Sequence, residues 1–361
     1  MSRFLLLFSQ VVLLVSAWVS SEDSSEKQKS TCQNIDGYNV CHYEGVLVEV
    51  TQLRFEDRLD NREDRLYISN LDLLAIQEDA FKNVTATHLY LNEGNRISNV
   101  KRGSFRGLPK LKHLHLGNNV VTLSEHLFAE LGEHLQTLTL YFNKIDLISK
   151  DSFAGLSNLM WLFLICNDIE AIDAKSFSNL NVELLNLGHN KISHIAPGTF
   201  AGLTELIYLD LEYNQLTGLP SDAFRGLNKL EDLYLNNNRI TSVSRELLRD
   251  LVGLKNLYLQ QNEISALEPE TFRDLYRLEL LRLDGNKLSH IVVGTFAGLS
   301  NLKYINLSNN NIRTVDNGAF ADFVNVRYLS FGGNDLTAIN RETSGLPYIT
   351  DTTEPWETIY I

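Results

Sequence analysis

The stretch LEDLYLNNNRITSVSRELLRDL, Leu230 to Leu251, carries the pattern by which the whole chain is read. Leu230, Leu233 and Leu235 fall at spacings that let a short strand bury one face. Asn238 follows at the bend, where a side-chain amide satisfies backbone donors and acceptors that a buried turn otherwise leaves unpaired. Ile240 and Val243 continue the apolar interior. Leu248 stands where Phe224, Phe272, Phe296 and Phe320 stand in other units, and Leu251 closes the coil. The asparagine recurs at Asn95, Asn119, Asn143, Asn167, Asn190, Asn214, Asn238, Asn262, Asn286, Asn310 and Asn334, at intervals of 24 residues with one of 23. One degenerate unit precedes them, with Leu66, Ile68, Leu71, Ile76, Phe81 and Val84 in roughly matching slots. No single coil buries this apolar face alone, so neighbours must stack to make a core.

Self-similarity of this period and phrasing is the leucine-rich repeat signature. The expected fold is an α/β solenoid, a horseshoe with a concave parallel sheet, of about 12 repeats of 24 residues. From Leu66 to Ile339 the phrasing resembles the extracellular typical class found in Toll-type receptor ectodomains, small proteoglycan cores and secreted insect leucine-rich proteins. The front end, Cys32 and Cys41 followed by a polar lead-in and then AFKNVT at Ala80 to Thr85, is similar to secreted insect leucine-rich immune proteins. Long members of that group carry further cysteines and a carboxy-terminal coiled coil, and this chain has neither.

Composition agrees with an ordered elongated domain: 361 residues, 44% hydrophobic, 21% charged, six prolines. A net charge of -13 disfavours nucleic-acid binding, which needs a basic footprint, and no nucleic-acid partner is expected. The apolar run Phe4 to Val15 is shorter than the roughly 20 residues a bilayer span needs, so residues 1–21 are expected to be a cleaved secretory signal. No later stretch is long enough to cross a membrane, and the expected location is secreted, extracellular. Residues 22–62 are expected to form an amino-terminal cap closed by a Cys32–Cys41 disulfide, and 63–339 the repeat domain. The acidic, aromatic tail 340–361, with Trp356, Ile359, Tyr360 and Ile361, is expected to fold back as a makeshift cap or to be disordered. End-to-end dimerisation is the alternative cover for the last coil. Cys166 is odd in number and is either a buried thiol or an intermolecular bridge between like or unlike chains. Asn83 and Asn306 each head a glycosylation sequon. A glycan on Asn83 would lie on the descending side, whereas one on Asn306 would close part of the concave face.

Function in such a coil is written at the x positions of LxxLxLxx, which project from the concave sheet. Tyr141, Phe142, Met160, Trp161, Phe163 and Ile165 place large apolar groups there, and Tyr208 and Tyr213 extend them; exposed aromatics of this kind are enriched at interfaces. The competing reading is lateral stacking that stabilises the sheet. Asp210, Glu212 and Asp232 form an acidic group beyond the patch, Tyr234 and Tyr258 share a column, and Arg282, Lys303 and Arg327 turn the last coils basic. His88, His113 and His115 sit close enough to bind a metal or sense mild acid, or are ordinary surface histidines. No nucleophile, metal set or pocket accompanies the carboxylates, so no catalytic residue and no cofactor is expected. The expected function is non-enzymatic recognition of a partner protein or microbial surface component, in innate immunity. An extracellular adhesion or signalling module, co-receptor-like, or a protein inhibitor would share these features.

Overall fold

A three-residue strand can bury little more than its central side chain, so the centres must stack if they are to form a core. They do. Leu66, Leu89, Leu114, Leu138, Leu162 and Leu185 pair in direct parallel register, each with the next. The series continues through Leu209, Leu233, Leu257, Leu281, Ile305 and Leu329, and none of the twelve is more than 1% exposed. The computed structural model describes residues 30–53, 64–132, 134–336 and 344–346, with the backbone of 358–360. Its main sheet has thirteen strands from Arg65–Tyr67 to Thr358–Tyr360, the last of which adds parallel to Tyr328–Ser330.

The asparagines form a spine that joins each coil to the one before. The Asn262 Oδ1 accepts the Ile240 N–H at 3.0 Å. Its Nδ2 donates to the Leu235 carbonyl of the previous coil at 2.9 Å and to its own Leu259 carbonyl at 3.0 Å. The same pattern runs from Asn95 to Asn334. It survives the 23-residue step, where Asn190 still accepts from Ile169 N–H at 3.1 Å. Because each amide serves the preceding coil, the first coil needs none, and Leu71 occupies its asparagine position. Leu71 is only half-buried; Leu73, whose N–H donates to Asn95, fills the interior slot that the spacing assigned to Leu71.

Behind the sheet, phenylalanines stack from coil to coil. Phe153, Phe177, Phe200 and Phe224 follow at centroid distances of 6.1, 6.1 and 6.4 Å. Phe272, Phe296 and Phe320 follow at 6.2 and 5.9 Å. Leu248 takes this slot between the two runs, and there the chain forms a single α-helical turn, Arg245–Leu248, capped by Ser244. Elsewhere the convex side is largely turns, with short parallel pairs such as Leu147–Ile148 with Ala171–Ile172. A 24-residue coil leaves little chain for a longer helix.

At the front, the Cys32–Cys41 disulfide is present. Tyr38–Tyr43 and Val46–Gln52 form an antiparallel hairpin that buries Tyr38, Val40, Leu47 and Val50. That hairpin pairs parallel with Ala75–Ile76 and Phe81–Lys82, covering the open side of the first coil. At the back, the Ser344 carbonyl accepts the Phe320 N–H at 2.9 Å, and Leu346 is buried. Residues 1–21 and Trp356 lie outside the described residues. Among the described residues no helix is long and apolar enough to cross a membrane.

Candidate concave-face site

Direct register converts the sheet into columns, since each residue flanking a central leucine sits beside its counterpart one coil away. Before the centre run His88, His113, Thr137, Trp161, Leu184, Tyr208, Asp232 and Asn256. After it run Tyr90, His115, Thr139, Phe163, Asn186, Asp210, Tyr234, Tyr258, Arg282 and Asn306. Two positions further, where the chain leaves the strand, come Tyr141, Ile165, Glu212, Asn236, Gln260 and Asp284.

The expected aromatic patch divides. Trp161 is 43% exposed, and Phe163 and Ile165 are half-buried on the same strand and its exit. Met160 lines an open depression with Lys110, Lys112 and Gln136. Tyr141 leans back over Gly117, where any Cβ would meet its ring at 2.4 Å, and it packs edge-on to Phe142 at 6.1 Å. Tyr208 turns toward Tyr234 at 5.0 Å, and Tyr234 stacks on Tyr258 at 4.3 Å, so these three make a separate lateral run. Tyr213 stacks on His189 at 4.3 Å on the rim.

Phe142 and Tyr213 share a feature that the spacing did not reveal. The residue before each ladder asparagine takes a left-handed conformation: Asn118, Asn237 and Asn309 suit it, but Phe142, Cys166, His189 and Tyr213 hold it on four consecutive coils. Bulky residues are disfavoured there, yet Phe142 and Tyr213 remain 57% and 48% exposed. The absence of Asn or Gly before Asn143, Asn167, Asn190 and Asn214 was the available signal. Cys166 is half-buried, and burial pushes its thiol above the usual range, which weakens it as a nucleophile.

The acidic group is built into the sheet. Asp210 is 3% exposed, and its Oδ1 accepts the Glu212 N–H at 2.9 Å. Glu212 accepts from Asn236 Nδ2 at 2.7 Å, and Asp232 from Asn256 Nδ2 at 2.6 Å. Burial, with Glu212 alongside, pushes Asp210 up to about 6, against hydrogen bonds from Glu212 N–H and Asn186 that favour the carboxylate. The unfolded group ionises near 3.8 while the folded one keeps its proton to about 6. Its contribution to stability is therefore complete below pH 4 and is lost as pH rises through 6. Asn186 and Asn306 accept the same local N–H in their own coils, at 3.0 Å each. Asp210→Asn should thus fit, add on the order of 1–2 kcal/mol at pH 7, and flatten Tm between pH 4 and 7. A lower Tm for the variant at pH 7 would refute this.

The expected basic end is largely neutralised. Arg282 is clamped by Asp284 through two bonds of 3.0 and 2.7 Å, and Lys303 pairs with Glu279 at 2.7 Å. The histidines stack instead of converging on a metal: His88 on His113 at 4.1 Å and His115 on Tyr90 at 4.3 Å. Burial, then His113, His88 and Arg65, hold His115 down to about 4, so it does not sense mild acid. The sequons differ in access. Asn83 is exposed, whereas Asn306 is a buried sheet residue whose Oδ1 accepts from Ser308 N–H.

The profile of the leucine rich repeat family matches residues 85–133, 133–192, 181–240, 228–288 and 277–336, and the chain belongs to that family. It is similar to lumican of Rattus norvegicus, 32% identical over 161 residues that cover 44% of this chain and 45% of lumican. Decorin of Oryctolagus cuniculus is 36% identical over 85 residues, 23% of this chain and 22% of decorin. Among solved structures it resembles a chain of the Toll–Spatzle complex, a molecular hub in Drosophila development and innate immunity. There the TM-score is 0.65 and the identity 28%, covering 74% of this chain and 37% of that one. The chain thus spans less than half the length of these relatives.

Proposed function

We propose that this chain is a secreted recognition protein that binds a partner protein through the concave face and its rim around Phe142, Trp161, Phe163 and Tyr213. One observation carries the reading: large aromatic groups stand exposed where the core does not need them, two of them in a backbone conformation that disfavours them. The disulfide suits an oxidising compartment, and a leader at 1–21 belongs to the same reading. Similarity to a chain of the Toll–Spatzle complex, together with the front-end resemblance, supports innate immunity as the setting. Trp161→Ala combined with Phe163→Ala should weaken partner capture at least tenfold with Tm unchanged, as expected for central interface aromatics. The measurement is co-purification from native fluid with mass-spectrometric identification. Equal capture by the variant would sink the site, and a partner unrelated to infection would sink the immune setting.

A further inference from the structure

An open depression of about 620 Å³ runs along the flank where the chain enters the first strands of the main sheet. Two rows of side chains line it. Lys112, Gln136 and Met160 each stand immediately before a strand, and Lys110, His134, Asn158 and Asn181 each stand three residues before the strand of successive coils. No carboxylate among the described residues lines it, in a chain whose net charge is -13. Three lysines further along the same flank are each answered by an acid one coil earlier: Lys229 by Glu205 at 2.6 Å, Lys255 by Glu231 at 2.8 Å and Lys303 by Glu279 at 2.7 Å. Lys112 meets Thr87 at that place instead, since its N–H donates to the Thr87 carbonyl. Lys110 and Lys112 are exposed, and among the described residues neither has an ion-pair partner. The first acid in the row is Glu183, after Met160, and there the cationic stretch stops.

We propose that this depression binds a sulfated oligosaccharide, with sulfate groups at the Lys110–Lys112 end and sugar hydroxyls along Gln136, Asn158 and Asn181. Unanswered ammonium groups on an acidic protein make a local positive field, and an anionic ligand complements it. The rest of the lining is neutral. Side-chain amides both donate and accept, as sugar hydroxyls do, and Met160 and Pro109 offer apolar ground for the C–H faces of a sugar ring. Strands about 4.8 Å apart place Thr87 and Asn181, four coils apart on the lining, about 19 Å from each other along the sheet. That length suits a chain of sugars better than a single ion. An acidic peptide is disfavoured, because extended peptides are held by adding to a free sheet edge. Here the N–H groups of Lys112, Gln136, Met160 and Glu183 already donate to the carbonyl one coil earlier at 2.8 to 2.9 Å, so side chains must do the binding.

The site goes beyond the aromatic reading of the concave face and stands or falls without it. A heparin-type tetrasaccharide titrated calorimetrically into the whole chain should bind at about 0.15 M salt. Lys110→Gln combined with Lys112→Gln should weaken binding about tenfold and leave Tm unchanged, since both side chains are exposed and unpaired. Lys229→Gln combined with Lys255→Gln removes two answered lysines from the same flank and should change binding by less than about twofold. The desulfated tetrasaccharide and a glutamate-rich peptide of equal charge should each bind about tenfold more weakly than the sulfated sugar. Met160→Glu, which sets a carboxylate in the middle of the depression, should weaken binding as much as the first lysine pair does. No binding of the sulfated sugar, or equal binding of the desulfated sugar or the peptide, overturns the assignment. Equal losses from the two lysine pairs, or unchanged binding in Met160→Glu, overturn it too.

Discussion

Asn238→Leu should destabilise the protein by about 4 kcal/mol, more than any single change on the concave surface. The substitution puts a larger, apolar side chain in place of the amide and strips the spine of one link. It leaves the Leu216 N–H without its acceptor at 3.0 Å, and the Leu211 and Leu235 carbonyls without their donors at 2.9 and 3.1 Å. Leu211, Leu216 and Leu235 are all fully buried, and each unmet backbone group costs about 1–3 kcal/mol. Because each coil touches only its neighbours, the damage should stay local. Hydrogen exchange should accelerate at Leu216 before it does at Leu66 or Ile305, which lie in coils toward either end, and urea denaturation should give the total. A loss below about 1 kcal/mol would mean the amide is not the link between coils.

Phe200→Ala should cost about 3–5 kcal/mol, the usual range for emptying a phenylalanine site in a core. Phe200 is fully buried, with Phe177 at 6.1 Å and Phe224 at 6.4 Å, so its removal exposes two ring faces at once. The chain itself indicates the milder alternative. Leu248 fills the equivalent slot, accompanied by the helical turn Arg245–Leu248 that adjusts the backbone around a smaller side chain. Phe200→Leu should therefore lose no more than about half as much as Phe200→Ala, with the remainder reflecting a backbone that has not made that adjustment. Thermal unfolding of both variants tests the ranking, and equal losses would show that ring stacking, not filled volume, holds the column together.

The spine and the core were legible because a fixed covalent period carries them. Once Asn238 is placed at a bend, Asn214 and Asn262 must lie above and below it, and Leu233 must meet Leu209 and Leu257. Even the departures obey the pattern: Leu71 replaces an asparagine where no earlier coil needs one. The surface was legible only as a set of columns. Arg282 and Lys303 read as a basic end until Asp284 and Glu279 proved to lie within bonding reach. Tyr208 and Tyr213 read as one patch with Trp161 until the first turned to Tyr234 and the second to His189.

By itself, then, the sequence determined the repeat, its register and which residues face inward, because burial leaves an apolar residue at a fixed spacing only one place to go. Tertiary structure alone decided the rotamers and pairings on the face: the stack of Tyr234 on Tyr258, the upward shift of Asp210 by burial, and the grip of Asp284 on Arg282. Polar and aromatic side chains on an open sheet have several partners within reach, and which they take depends on neighbours 24 residues away in both directions.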